Sequence, residues 1–164
     1  MSTAVGHSER LLEKRGLSLP QPPTAVANYV GAVSTGDLVF VSGHGPVRDG
    51  EHIFIGKLGR DLDVAEGQQS AQLVILNALA TLKREIGDLD RVTRIVKLLV
   101  LVNSAPDFTE QHLVANGASD LLVEIFGEER GRHGRSAIGM GSLPFGISVE
   151  IEMIVEVRGE ETDR

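Results

Sequence analysis

Val92 to Val102 is the stretch that most narrows what this chain can fold into. It contains Ile95-Val96 and then Leu98-Leu99-Val100-Leu101-Val102. A near-continuous run of β-branched residues and leucine reads as a central strand covered on both faces. Such a strand needs helices to cover it, and the flanks supply them. From Val64 to Ile86, residues Ala71, Val74, Ile75, Ala78, Leu79 and Leu82 recur at the spacing of one buried helical stripe, and Gly87 stops the helix. After the strand, Asp107 is the expected cap of a second helix reaching Phe126, with Gly127 as its stop. Its apolar side is read as Leu113, Ala118, Leu121, Leu122 and Ile125.

The remaining strands follow from alternation and turn residues. Asn28 to Val33 and Asp37 to Ser42 form a predicted hairpin around Ser34-Thr35-Gly36. His52 to Ile55 is a third short strand after the loop Arg48-Asp49-Gly50, and Ser136 to Ser142 is a glycine-punctuated strand. Ser148 to Val157 places Val149, Ile151, Met153, Val155 and Val157 on one face, with Glu150, Glu152, Ile154 and Glu156 on the other. The order βββ-α-β-α-ββ predicts an α+β fold in which a mixed sheet carries two helices on one face. The other face meets water or another subunit. Leu38 and Phe40 would be costly there if left wet, so an oligomer is expected.

Near the start, Ser8 is the predicted cap of a short helix through Lys14, ended by Gly16. The segment Leu19-Pro20-Gln21-Pro22-Pro23 then breaks regular structure. Residues 1–24 are read as an arm, 25–158 as one domain and 159–164 as a tail.

Composition excludes several classes. A chain of 164 residues fits one domain, and 41% hydrophobic content is ordinary for a globular core. The absence of cysteine removes disulfides, thiolate nucleophiles and cysteine metal sites. A net charge of −7, with 4% aromatic residues, gives neither the basic stripe nor the stacking surface of a nucleic-acid binder. The best basic run, Arg130-Gly131-Arg132-His133-Gly134-Arg135, is short. No segment has the run of apolar residues needed to span a membrane, and Met1 to Gly16 has no apolar signal core. A cytoplasmic protein without membrane or nucleic-acid partners is expected.

Arg135 is the leading candidate for chemistry. It follows a glycine-rich loop and opens a strand, and its fork can hold a carboxylate by two charge-assisted hydrogen bonds. The plainer alternative is a surface arginine paired with a glutamate. If Leu143-Pro144-Phe145-Gly146 turns the chain, the two C-terminal strands pair antiparallel. Glu150 then lies near Arg135, stays ionised and can orient a water. Against this, Glu152 and Glu156 make a simply solvated strand face credible for Glu150. His7, His44, His52, His112 and His133 form no metal-binding pair, so no metal is expected. Gly43-His44-Gly45 is too short for a dinucleotide loop and reads as a tight backbone turn.

Beyond these residue-level readings, the sequence resembles the Rid family, also called YjgF-like and formerly endoribonuclease L-PSP. Gly134-Arg135-Ser136, followed by Leu143-Pro144 and Val149-Glu150-Ile151-Glu152, is similar to the family's C-terminal signature. Val26-Ala27-Asn28-Tyr29-Val30 resembles its early Pro-Tyr segment. Val41-Ser42-Gly43-His44-Gly45-Pro46-Val47 resembles its Ser-Gly-Gln-x-Pro turn. The segments from Val102 to Thr109 and from Ala115 to Asp120 resemble a longer branch with an N-terminal arm. The resemblance implies a chorismate-mutase-like fold, a homotrimer and a site in each cleft between subunits. It implies hydrolysis of reactive 2-imino or enamine acids to 2-keto acids and ammonia, with no cofactor. Arg135 would bind the carboxylate of a small substrate, and Glu150 would position water. Tyr29, Ser42, Gly43 and Ala137 would contribute substrate contacts. The sequence departs from the family at Ala137, where cysteine is common, and at His44, where glutamine is usual. The main alternative is a trimer that binds or senses a small carboxylate without turnover; the RNA-cleaving activity of the old family label ranks last, for want of a basic face and an acid–base histidine pair.

Overall fold

The computed structural model describes residues 5–24 and 27–159. The predicted arm and tail therefore reach beyond the described residues at 1–4 and 160–164, as does Val26 of the early motif. Helix α1 spans His7–Lys14. Strands β1 (Ala32–Thr35) and β2 (Leu38–His44) form the first hairpin, and β3 (Val47–Arg48) with β4 (Glu51–His52) forms a second, separate one. Helix α2 (Val64–Ile86), β5 (Val92–Asn103), α3 (Gln111–Gly131), β6 (Gly134–Met140) and β7 (Val149–Val157) complete the chain. The large sheet has the order β1-β2-β7-β5-β6, with β5 and β6 parallel and the other pairs antiparallel.

Helix α2 has the bounds the periodicity predicts, and all six stripe residues are fully buried. Its start is fixed by a reciprocal cap: Glu66 N–H donates to the Asp63 carboxylate at 2.8 Å, and Asp63 N–H donates to Glu66 Oε2 at 2.9 Å. Its end is Gly87, with φ 84. Helix α3 starts later than predicted, because residues 105–108 form a turn closed by Phe108 N–H donating to the Ala105 carbonyl at 3.1 Å. Asp107 is not its cap. The regular helix does break at Gly127, with φ 78, and one more turn follows. Leu113 is only half-buried, and Val114 takes the core position. The two helices approach so closely that a Cβ on Gly117 would collide with the Gln68 carbonyl of α2.

Both long helices pack on one face of the sheet, against Ile95, Leu98, Val100 and Val102 of β5 and the odd-numbered residues of β7. On the opposite face Leu99 and Leu101 are only half-buried. Strand β5 is thus interior to the sheet, but the chain covers it on one face rather than both.

The predicted hairpin of the two C-terminal strands does not form. Strand β6 returns after α3 to lie parallel outside β5, and β7 then inserts between β2 and β5. Two smaller expectations also change. Ser8 lies inside α1, whose first amides are capped from elsewhere, by Asp90. Gly43-His44-Gly45 is not a turn: the β2–β7 register shifts between Val41 and His44, a bulge that carries Ser42 and Gly43.

Candidate functional site

A cavity of about 650 Å³ opens beside this bulge. Tyr29, Ser42, Gly43 and Glu150, all singled out from sequence, line it together. The bulge explains how. Ser42 N–H donates to the Gly31 carbonyl at 2.9 Å, and Ser42 Oγ donates to the Val30 carbonyl at 2.6 Å. These two bonds tie the Tyr29 segment to β2 and leave the serine oxygen free to accept. Gly43 supplies space, since a Cβ there would collide with Glu150 Oε1. Glu150 therefore sits in a notch that only glycine leaves open.

Glu150 is half-buried, and its pKa is raised by desolvation first and by the neighbouring charge of Glu152 second. This corrects the expectation that an arginine beside it holds it ionised. In β5 register Glu150 lies opposite Leu101, on the helix-free face, whereas Arg135 lies opposite Leu98, on the helix face. Within one chain the two belong to opposite sides of the sheet.

Arg135 is held by α3 instead. Nη1 donates to Asn116 Oδ1 at 2.9 Å and to Ser119 Oγ at 3.1 Å, and Nη2 donates to the His112 carbonyl at 3.2 Å. All three partners are neutral, and among the described residues no carboxylate pairs with it. The plain reading of a surface ion pair does not hold. A guanidinium carries more N–H donors than these contacts use, so donors remain for an anion. Ser119 Oγ also lies 2.9 Å from Nε2 of His133, whose Nδ1 is 2.7 Å from the Gly131 carbonyl. The Arg135 pedestal is thus Asn116 and Ser119 on adjoining turns of α3. Ala137 stands two residues along β6, opposite Val100, packed against the core.

His44 lines the cavity but is only 6% exposed, with both ring nitrogens committed. Nδ1 is 2.6 Å from the Ser42 carbonyl and Nε2 is 2.8 Å from Thr81 Oγ1. A carbonyl only accepts, so Nδ1 carries the proton and Nε2 accepts from the threonine hydroxyl. Burial, the largest influence, lowers the histidine pKa, and Arg84 adds to it against the Ser42 bond. His44 is a neutral strut between the bulge and α2. Sequence reasoning did not foresee this strut, nor His52 and Phe145 on the cavity wall. No group of side chains among the described residues is arranged to hold a metal. No helix among them is long and apolar enough to cross a membrane.

Comparison with known proteins agrees with this architecture. Residues 9–156 match the family model described as "YjgF/chorismate_mutase-like, putative endoribonuclease". The chain belongs to this YjgF/chorismate-mutase-like family. It is 46% identical to Protein TCP17 of Trypanosoma cruzi over 94% of this chain and 96% of that protein. It is also 46% identical to Atu1372 of Agrobacterium tumefaciens, whose crystal structure superposes with a TM-score of 0.87 over 92% of each chain. The structure of E. coli TdcF with bound serine shares 27% identity and a TM-score of 0.57, covering 85% of this chain and 94% of that one.

Proposed function

We propose that the protein hydrolyses reactive 2-imino acids, or their enamine tautomers, to 2-keto acids and ammonia, as a homotrimer whose sites lie between subunits. The observation that carries this reading is the half-site: a desolvated carboxylate in a cavity, while a cation with no carboxylate partner among the described residues, suited to bind a substrate carboxylate, lies across the sheet. One chain supplies Glu150, Tyr29, Ser42 and Gly43; a neighbouring copy supplies Arg135 and Ala137. The bound serine in the TdcF structure supports an amino-acid-sized ligand for this fold.

The chemistry asks for little beyond placement, because an imine carbon is already electrophilic. Arg135 pairs with the substrate carboxylate and fixes the imine over Glu150. The Glu150 carboxylate orients a water and takes its proton as the oxygen adds to the imine carbon. Glu150 passes this first proton to the imine nitrogen to complete the carbinolamine. It then carries the hydroxyl proton to that nitrogen as the C–N bond breaks and the carbonyl of the keto acid forms, so water in and ammonia out balance the step.

The test generates imines in situ with an amino-acid oxidase and follows keto acid release while semicarbazide competes for the imine. We expect the wild type to accelerate release and Arg135→Ala to lose at least about 100-fold in kcat/KM, the scale for a lost charge-assisted anchor in a desolvated site. No acceleration on any imine, with keto acids still binding, would replace hydrolysis by binding without turnover.

A further inference from the structure

The wall of this cavity extends beyond the groups its proposed reaction uses. A single chain bounds about 650 Å³ here, and in the proposed trimer the neighbouring copy borders the same space. Its lining is of two kinds. Ser42, Gly43 and Glu150 form a polar group in which Gly43 abuts Glu150; Val47, His52, Pro144, Phe145 and Ile147 form a second wall.

Two rings define that second wall. His52 of β4 and Phe145, in the 3-10 turn Pro144–Gly146, stack with centroids 4.4 Å apart and planes 18° from parallel. Phe145 is 61% exposed, so the fold does not use this ring to fill its core. It is nonetheless held in a strained backbone state, with φ 59, where a bulky residue is rarely found. The strain is held in place by pairing between the two segments. Gly56 N–H donates to the Gly146 carbonyl at 2.8 Å, Ser148 N–H donates to the Phe54 carbonyl at 3.0 Å, and Ile55 bridges to Ile147. Ile53 N–H closes the loop below by donating to the Pro46 carbonyl at 2.9 Å. Gly45 keeps the floor open: a Cβ there would come within 2.8 Å of Ile147 Cδ1 and 3.7 Å of His52 Cδ2. The wall is thus built before any ligand arrives, which lowers the ordering cost of binding.

The geometry points to a side-chain subsite that selects substrates carrying a large flat side chain, namely the imines of aromatic amino acids. The inference rests on the proposed hydrolysis for the polar group of the cavity. It adds a role for the second wall. An aromatic ring entering along the apolar wall meets the free face or edge of the His52–Phe145 stack, an arrangement aromatic rings prefer. A methyl side chain leaves the same wall wet.

The experiment compares imines generated from phenylalanine, leucine and alanine on the full chain. In parallel it measures affinities for phenylpyruvate and pyruvate by calorimetry. We expect kcat/KM for the phenylalanine-derived imine to exceed that for the alanine-derived imine by about tenfold or more, the discrimination a hydrophobic pocket achieves. We expect phenylpyruvate to bind tighter than pyruvate by a similar factor. Phe145→Ala and His52→Ala, checked for fold by circular dichroism, should each reduce both ratios toward one. Equal affinities for the two keto acids, or ratios unmoved by both variants, overturn the subsite. So does a preference for the leucine-derived imine over the aromatic one. If no imine is turned over but phenylpyruvate still binds preferentially and loses that preference in Phe145→Ala, the subsite stands and the hydrolysis falls.

Discussion

Glu150 carries a charge that its surroundings disfavour. Burial and Glu152 both raise its pKa, so it takes up a proton at higher pH than an ordinary glutamate. The proposed role needs the carboxylate, so kcat/KM should fall as pH drops through that raised value. Glu152→Gln removes one of the two causes and should shift the acid limb to lower pH, read from pH–rate profiles of the two proteins. Stability has the opposite sign. A raised folded pKa favours the folded state below the unfolded pKa and loses that advantage as pH rises. Glu150→Gln should therefore lose turnover while raising Tm at neutral pH, a combination that a merely structural glutamate would not give. Alternation placed Glu150 on the face opposite Val149 and Ile151, as β7 has it, but the sequence reading set it beside Arg135, which the strand order rules out within one chain. The sequence could not show the notch at Gly43 or the His44–Thr81 strut, because these join residues from different elements. Nor could it show that Arg135 rests on Asn116 and Ser119, since a helix and the strand after it reveal their contact only once packed.

At the scale of elements, the parts that read correctly are those whose information is local. Helix α2 carries its stripe, its reciprocal cap and its glycine stop within its own residues. Helix α1 does not. Asp90 accepts from His7 N–H at 2.5 Å, from Ser8 N–H at 2.8 Å and from Ser8 Oγ at 2.6 Å. The cap comes from a 3-10 turn far along the chain, so Ser8 was the natural but wrong candidate. Burial works to raise the Asp90 pKa, but the bonds from Ser8 and His7 outweigh it and the net shift is downward. This stabilisation is present above the unfolded pKa of aspartate and is lost as pH falls through the lower folded value. Asp90→Ala should cost about 1 kcal/mol, the usual scale for a lost N-cap. The loss should appear in urea unfolding, with faster hydrogen exchange confined to His7–Lys14. The C-terminal strands misled for a different reason. A turn-rich link between adjacent strands reads as a hairpin, yet the α3 crossover sets β6 parallel at the sheet edge and leaves the space beside β5 to β7. The β3–β4 hairpin was partly missed because its strands are too short to show alternation.

For the whole molecule, the uncovered sheet face is the feature that the order of elements already made uncomfortable. Phe40 and Ile138 are 43% and 45% exposed on it, and Leu99, Leu101 and Ile154 between them are half-buried. The proposed trimer covers this face. Sedimentation should give three copies of the 17.6 kDa chain, and Phe40→Glu should shift the protein toward the monomer with loss of turnover. The positions of Arg135 and Glu150 on opposite sides of one sheet then have a genetic consequence. A chain lacking only Arg135 and a chain lacking only Glu150 should each be inactive alone. Dissociated and reassembled together, they should regain part of the wild-type rate, because in mixed trimers some clefts receive the intact half from each parent. Two defective alleles would complement each other within a single protein.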